Sequence, residues 1–278
     1  IWENGINRTT EFGGYQNGFL RRSSFDQISQ VVNDRVVNLG VTPIMRQLDI
    51  DFVATGLRPR KVVYYFFDNV NVTNYVQRAN ELQFSGNNFL DRADSERITS
   101  GSGNTANVLL SKTLTSSNVA YVSDVIGNVI IGQTWTGARS ANTGTVVAYR
   151  HYSGTARAAN TSNISLAWDS SNVDSYYVGN TIYFVDGLGV GTSYRIDAYV
   201  GATRLASNTT TTFTAGSNTR YSIGDSKTNE FGQLAGTFVV PSNSTLKFRS
   251  GERVFRISNL ANGSANGATT VGEGRFLL

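Results

Sequence analysis

The chain has 278 residues and a net charge of +4, with 24 Lys or Arg residues against 20 Asp or Glu. It contains no cysteine, which excludes disulfide frameworks, thiolate zinc sites and cysteine nucleophiles. The positive charge is scattered, with its densest cluster at residues 58–61, and no segment approaches the ~20 apolar residues of a membrane-spanning helix. We therefore expect no nucleic-acid partner and no membrane span.

The residue types favour strands over helices along the chain. Valine, threonine and aromatic residues are abundant, 28 glycines supply turns, and Glu, Gln, Lys and Met are sparse. The sequence therefore predicts an all-β protein. Charged residues make up only 16% of the chain, below the usual share of about 25%. This low share indicates that much of the surface is neutral and polar or is covered by other subunits, and we favour the second interpretation in part.

Residues 1–34 predict an extended N-terminal arm with one candidate short helix. Glycines and aromatic residues alternate irregularly over 1–23, which is typical of an arm that lies on a partner. Residues 24–33 place four apolar side chains on one helical face, with Ser24 as a candidate N-cap. The chain begins at Ile1 and ends at Leu278 without a polar tail, and we interpret it as a segment of a longer polypeptide, or as one that is processed or partly ordered.

From Arg35 onward the pattern indicates strands. Residues 35–39 and the apolar run at 62–67 predict two strands, the second one buried on both faces. Residues 47–52 alternate strictly, with apolar side chains on one face and Asp49 and Asp51 on the other. Turns are predicted at Gly56-Leu57-Arg58-Pro59 and at Asp68-Asn69, because proline fixes φ and Asn and Asp tolerate the left-handed conformation.

A polar boundary at 95–106 precedes a stretch of short strands, and a second boundary lies near Ser170-Ser171. We interpret 101–170 as a small all-β domain inserted into a discontinuous β-sandwich module made of 35–100 and 171–278. The predicted strands are Val108–Leu110, Val119–Val122, Val129–Ile131, Thr145–Tyr149 and Ile164–Trp168. The predicted turns are Gly127-Asn128, Thr136-Gly137 and Thr143-Gly144.

After the insertion, the pattern predicts strands at 181–185 and 193–200, joined by the glycine-rich segment 186–191. Further segments follow in chain order. They are a weak strand at 210–214, a polar loop at 215–230, two or three strands over 229–257, a surface loop at 259–270 and a final strand at 275–278. A hairpin across Ser250-Gly251-Glu252 is expected to place Phe255 and Ile257 in the core, with Arg256 facing outward or paired with a carboxylate.

Catalytic chemistry has little support in the sequence. His151 is the single histidine, and its setting between tyrosines favours a surface or packing role over a catalytic triad. Asp49 and Asp51 are the closest carboxylate pair, but alternation alone explains them. Asp174, Asp186 and Asp197 lack the spacing of a calcium loop, and the glycines at 187–191 are followed by a strand and not by the helix of a phosphate loop. We therefore predict no enzyme activity and no catalytic, cofactor-binding or metal-binding residues.

Two blocks of the sequence resemble a module of virion structural proteins from tailed bacteriophages, especially cyanophages. In the first block, Arg46, Gly56-Leu57-Arg58-Pro59 and 66–73 (Phe-Phe-Asp-Asn-Val-Asn-Val-Thr) match the order of that module. In the second block, 232–241 is similar to its Gly-x-Leu-x-Gly-x-Phe-x-x-Pro segment, and 248–257 is similar to Phe-Arg-Thr-Gly-Glu-Arg-x-Phe-Arg-Leu. Residues 269–276 resemble its closing segment more loosely. The resemblance covers roughly 40–75 and 225–278. Three residues differ from the usual residues of the module, Asn69, Asn71 and Ser250, and all three are of types that turns accept.

The resemblance implies a non-enzymatic component of a phage tail: a baseplate, tail-fibre or fibre-attachment protein located in the virion. Its implied partners are other tail proteins within a larger hetero-assembly, and self-association is expected, with a trimer as one arrangement. The candidate contact surfaces are the loops at 215–230 and 259–270 and the insertion.

Two alternatives stay open. The first is an adhesin that binds a host receptor or surface glycan through aromatic side chains at Trp135, Trp168, Tyr176 and Tyr177. The second is a tailspike that degrades polysaccharide, which requires a carboxylate pair in a groove.

Overall fold

A computed structural model of the chain describes residues 27–32, 35–40, 43–91, 96–114, 117–264 and 266–277. Strands dominate this part of the chain, and its single helical element is the 3₁₀ turn Thr73–Tyr75. All strand pairs in it are antiparallel. The prediction of an all-β fold with antiparallel sheets is confirmed.

The first two strands form a hairpin of their own. Strands β1 (Gln27–Val32) and β2 (Arg35–Gly40) pair over six positions. The short helix predicted at 24–33 is therefore wrong where the chain is described. Its apolar residues Ile28, Val31 and Val32 are β-branched, and such residues favour a strand. The rest of the predicted arm lies outside the described residues.

The first sandwich combines both blocks that carry the resemblance. Its strands are β3 (Asp49–Ala54), β4 (Tyr64–Phe67), β5 (Val70–Asn71), β6 (Val76–Arg78), β21 (Leu234–Val239), β22 (Glu252–Ser258) and β23 (Val271–Leu277). One sheet has the order β3-β21-β6 and the other the order β23-β22-β4-β5. The two sheets share one hydrophobic core, in which the Phe255 ring lies 5.1 Å from Phe52 and 5.8 Å from Tyr65. Residues more than 180 positions apart thus form one core.

Two local predictions in this sandwich are confirmed. Phe52 is buried, and Leu48 and Ile50 pack against the same core, while Asp49 is exposed. Asp68 and Asn69 form the turn between β4 and β5 with φ angles of 48° and 66°. Positive φ at both central residues is typical of the tight turn that matches the twist of a hairpin.

The barrel lies next along the chain. Its strands are β7 (Asn80–Gly86), β8 (Arg97–Ser100), β9 (Thr105–Thr113), β10 (Asn118–Ile126), β11 (Thr134–Gly137) and β12 (Thr143–Arg150). They close in the order β10-β7-β12-β11-β8-β9 around a core that includes Leu82, Phe84 and Trp135.

The barrel differs from the predicted insertion in its limits. β7 and β8 precede residue 101, but they supply two of its walls, because closing a sheet requires partners for both of its edges. The strand predicted at 129–131 is absent, and Ile130 and Ile131 are exposed. The turns predicted at Thr136-Gly137 and Thr143-Gly144 lie inside β11 and at the start of β12.

The second sandwich follows. Its strands are β13 (Ser153–Thr155), β14 (Ala158–Ala159), β15 (Asn163–Ser165), β16 (Thr181–Asp186), β17 (Ser193–Arg195), β18 (Ala198–Val200), β19 (Leu205–Ser207) and β20 (Arg220–Ile223). The sheets β13-β20-β16-β17 and β14-β15-β19-β18 share one core, to which Leu166, Phe184 and Tyr221 belong. Because this core joins residues on both sides of 170, the second predicted boundary does not separate two units.

Other strand predictions here need correction. Residues 193–200 form two strands in different sheets, since the chain crosses the core at the buried Ile196. The polar loop predicted at 215–230 contains β20, and the residues 210–214 form no strand, although Phe213 is buried. Polar neighbours surround the few large apolar residues of these two segments, Phe213 in 210–214 and Tyr221 and Ile223 in 215–230.

The hairpin predicted across residues 250–252 is also wrong. β22 pairs with β4 and β23, whereas Lys247 and Arg249 make isolated bridges to Ser242 and Ile44. Phe255 and Ile257 are nevertheless buried as predicted. Arg256 is paired with a carboxylate, since its Nε lies 2.5 Å from Glu273.

Candidate functional site

The carboxylates considered at the sequence level have structural partners. Asp49 forms an ion pair of 2.8 Å with Arg220 of β20, which joins the two sandwiches. Asp51 accepts a hydrogen bond of 2.7 Å from the Thr237 hydroxyl on the neighbouring strand. The two carboxylates thus tie strands together and line no common groove with a free acid pair.

The three other aspartates are dispersed. Asp174 accepts the Gly201 N–H at 2.7 Å, Asp197 accepts the Thr209 N–H at 2.9 Å, and Asp186 accepts the N–H of the next residue at 2.7 Å. Within the described ranges, no group of three or more His, Cys, Asp or Glu side chains is arranged to hold a metal ion. The glycine-rich loop 187–191 connects β16 to β17 as a hairpin.

His151 lies in a buried polar cluster between the barrel and the second sandwich. Its Nδ1 is 3.1 Å from Asp169 Oδ2, and its Nε2 is 2.9 Å from the Tyr221 hydroxyl. Tyr149, from the end of β12, donates to the same Asp169 oxygen at 2.5 Å. The hydroxyl of Tyr221 also accepts the Ala167 N–H at 2.8 Å. The cluster therefore fastens the end of the barrel to the second sandwich.

The electrostatics of this cluster follow from burial. Burial acts to raise the pKa of the Asp169 carboxyl, but attraction to His151 and hydrogen bonds from His151 and Tyr149 outweigh it and lower the pKa. Burial is also the main cause that raises the pKa of Tyr149 and Tyr221 well above the ordinary value. His151 and Tyr221 are buried, so their side chains pack inside the protein.

The four aromatic residues of the adhesin alternative divide into two pairs. Trp135 and Tyr177 are buried, in the barrel core and in the second sandwich. Trp168 is 57% exposed and Tyr176 is 49% exposed. Only the second pair is available for stacking on a ligand.

A turn after β15 explains the exposure of Trp168. Ser170 closes this turn, since its N–H and its hydroxyl both donate to the Ala167 carbonyl, at 3.0 and 2.7 Å. Two successive residues of the turn then differ in burial. Asp169 is buried and contacts His151, whereas Trp168 is largely exposed, and both line one cleft.

The Trp168 cleft has a volume of about 640 Å³ and lies where the barrel and the two sandwiches meet. Residues 123–128 of the barrel line one side, and Trp168, Arg157 and Arg204 of the second sandwich line another. The first sandwich contributes Gln77. The size of the cleft falls in the range of small-molecule sites.

Backbone carbonyls hold the two arginines of the cleft in place. Arg157 donates to the carbonyls of Leu166 and Thr203, both at 2.7 Å, and its guanidinium lies 3.5 Å from the centre of the Trp168 ring. Arg204 donates to the carbonyls of Ser170 and Gly201. These carbonyls fix the positions of both side chains before any ligand arrives.

Neither arginine is neutralised. Within the described residues, Arg157 and Arg204 form no ion pair. Burial lowers the pKa of Arg157, and repulsion from Arg204 adds to this effect, although a guanidinium stays protonated at neutral pH. The cleft therefore has a local excess of fixed positive charge.

A second cleft of about 510 Å³ lies between the barrel and the first sandwich. Two of its cations are paired, Arg150 with Glu81 at 3.7 Å and Arg60 with Glu230 at 3.5 Å. Arg78, Lys112 and Lys227 also line this cleft, so it is basic as well, but it contains no exposed tryptophan.

The outer face of the barrel carries an apolar patch made of Ile130, Ile131 and Val147. These side chains are 53%, 64% and 44% exposed. Hydrogen bonds between Gly132 and Val146 and between Val146 and Gln133 hold the two segments side by side. No charged residue occurs from 125 to 138, so the patch has no charged residue within its own loop.

In comparisons with protein-family models, curated proteins and solved structures, nothing matched this chain. In the described part of the chain, no helix has the length and apolarity that crossing a bilayer requires.

Proposed function

We propose that the chain is a structural component of a phage tail, of the baseplate, tail-fibre or fibre-attachment type, that acts through protein–protein interfaces. The supporting observation is that the two blocks resembling the phage module fold together. Arg253 and Arg256 of the second block bind Asp68 and Asn69 of the first, at 2.8 and 3.0 Å. The residues that carry the resemblance therefore build one scaffold.

The surface of the chain suits subunit contacts. Large exposed apolar patches mark interaction surfaces, and the patch of Ile130, Ile131 and Val147 is apolar and free of charge in its own loop. A second copy of the chain is a fitting partner, because an apolar face is complementary to itself. β23 lies at the edge of its sheet and ends with Leu277, which is 84% exposed, and such an edge can accept a strand of a neighbour.

Light scattering coupled to gel filtration tests the self-association. We expect the chain to elute at a multiple of 30.2 kDa, and the substitutions Ile131→Asp and Val147→Asp to shift it toward the monomer. Val178→Asp is the matched control, because Val178 is also exposed, at 42%, but lies outside the patch. A monomer at all concentrations would contradict the self-association.

A second function, binding of a host-surface glycan, is favoured by one observation. Trp168 is exposed and lines a cleft of about 640 Å³, in contrast to the buried Trp135 and Tyr177. An exposed tryptophan beside polar groups is the usual platform for a sugar ring, since its face is apolar and rigid. The two functions are compatible in one tail protein.

A further inference from the structure

We infer that the Trp168 cleft binds an acidic sugar, with a pyranose ring on the indole face that Arg157 leaves open and the carboxylate of the sugar at Arg204. The inference rests on the proposed tail function only for the source of the sugar, a polysaccharide of the host surface. The binding itself is inferred from the residues that line the cleft.

The indole offers one open face. Arg157 covers one face of Trp168 at 3.5 Å. Because the side chain is still 57% exposed, the exposed area must come mainly from the other face and the edges. The C–H groups of a pyranose ring pack on such a face, and the guanidinium behind it keeps the indole from rotating.

Each of the two guanidinium groups has one nitrogen that is available to donate hydrogen bonds to a ligand. Arg157 uses Nε and Nη2 for carbonyls, and Arg204 uses Nε and Nη1. Arg157 Nη1 and Arg204 Nη2 make no hydrogen bond to the described residues. A carboxylate is the ligand group that relieves the neighbouring positive charges, and it can accept from the free Nη2 of Arg204.

The opposite wall suits hydroxyl groups. Asp124 and Asn128 of the barrel line it, and Asp124 uses one carboxylate oxygen to accept from Asn107 at 3.0 Å. The second carboxylate oxygen is an acceptor for a sugar hydroxyl. A neutral sugar would leave the arginines uncompensated, and a nucleic acid would need the extended basic surface that the scattered charges of this chain do not provide.

Binding is measured by titrating the chain with trigalacturonate, a hyaluronan tetrasaccharide and 3′-sialyllactose, and following tryptophan fluorescence and calorimetric heat. We expect at least one of these acidic probes to bind and to perturb Trp168. Methyl-esterified trigalacturonate has the same rings without the charge. If trigalacturonate is the ligand, the ester should bind at least about tenfold more weakly, as the loss of a charge-assisted hydrogen bond implies.

Variants locate the binding in the cleft. Trp168→Ala should abolish the fluorescence change and weaken binding about tenfold or more, and Arg204→Gln should remove the preference for the acidic form. Arg204→Lys, which keeps the charge, should restore part of that preference. Tyr176→Ala is the control, because Tyr176 is exposed to a similar degree but does not line the cleft.

Three outcomes would overturn the inference. They are no binding of any acidic probe by the wild-type chain, equal binding by Trp168→Ala and the wild type, or binding of oligothymidylate in place of the sugars. A chain that is found in the tail but binds no acidic probe would refute this inference alone. A chain that binds the probes but is absent from the tail would refute the proposed function alone.

Discussion

Arg253 donates a hydrogen bond to Asp68 at 2.8 Å across 185 residues of chain. The other oxygen of the Asp68 carboxylate accepts the Val254 N–H at 3.2 Å. The carboxylate thus fixes both the side chain and the backbone of β22 against the turn between β4 and β5. This pair explains why an aspartate occurs in one block and an arginine in the other.

Breaking this pair should destabilise the first sandwich. We expect Arg253→Gln to lower the free energy of unfolding by about 1 kcal/mol, because both side chains are less than one third exposed. In a double-mutant cycle, Asp68→Asn should then cost less in the Arg253→Gln background than in the wild type. Urea denaturation measures both quantities. Arg275→Gln is the control, since its pair with Glu252 is far more exposed, and additive effects of the two substitutions at 68 and 253 would refute the coupling.

The buried Asp169 predicts a loss of stability in acid. Its folded-state pKa lies below the ordinary value of 3.8, so its carboxylate contributes stability above that value, and the contribution is lost as the pH falls through the folded pKa. We expect Asp169→Asn to cost about 3 kcal/mol at neutral pH and to lose less stability than the wild type between about pH 5 and pH 2.

Melting temperatures across that pH range measure the effect of Asp169→Asn. The exposed Glu252→Gln serves as the control and should follow the wild-type profile. Parallel profiles for Asp169→Asn and the wild type would show that the carboxylate makes no such contribution.

Sequence patterns predicted the parts of the fold whose signal is local. The alternation at 47–52 and the Asp68-Asn69 turn depend on neighbouring residues alone, and the structure contains both. The residues at which the barrel begins and ends could not be predicted. β7 and β8 have the same alternation of apolar and polar residues as the sandwich strands, and only their pairing in the closed sheet assigns them to the barrel. β20 was missed because its two apolar residues, Tyr221 and Ile223, lie within a long polar stretch and form too short an alternating pattern.

The candidate site shows the same limit. Trp168 was identified as a candidate for stacking because it is aromatic, together with Trp135, Tyr176 and Tyr177. The sequence did not identify Arg157 and Arg204 as site residues, because they lie far apart in the chain. They come close to each other only because β14, β15 and β19 pair in one sheet. Exposure also separated Trp168 from the buried Trp135, which composition cannot do.

Gly232 should not tolerate a side chain. A Cβ at this position would lie 1.7 Å from the Leu57 carbonyl oxygen, and its φ is +70°. We expect Gly232→Ala to cost about 3 kcal/mol. Gly56→Ala is the matched control, because its φ is +74° with nothing within 4 Å, so about 1 kcal/mol is expected there. Equal costs in thermal unfolding would mean that the contact with Leu57 does not explain the glycine.

Glu96 should hold the loops at one end of the barrel. It is 1% exposed, and it accepts the N–H groups of Arg139 at 2.8 Å and Leu90 at 3.3 Å. Burial acts to raise its pKa, but hydrogen bonds from these groups and from Ser140 outweigh it and lower the pKa. We expect Glu96→Gln to cost about 2 kcal/mol.

Hydrogen exchange should locate the effect of Glu96→Gln. Faster exchange is expected at residues 137–142, whose backbone the carboxylate binds, and the exposed Glu230→Gln should leave it unchanged. Unaltered exchange at 137–142 in the Glu96→Gln variant would contradict the role assigned to this carboxylate.

Immunogold electron microscopy of phage particles that carry the gene examines the tail function itself. Antibodies raised against the chain are applied to intact particles and to purified tails. A tail component predicts gold particles at the baseplate, the fibres or their attachment point, in numbers that reflect a symmetric assembly. Label confined to the capsid, or unlabelled particles beside abundant free protein in the lysate, would contradict the proposed function.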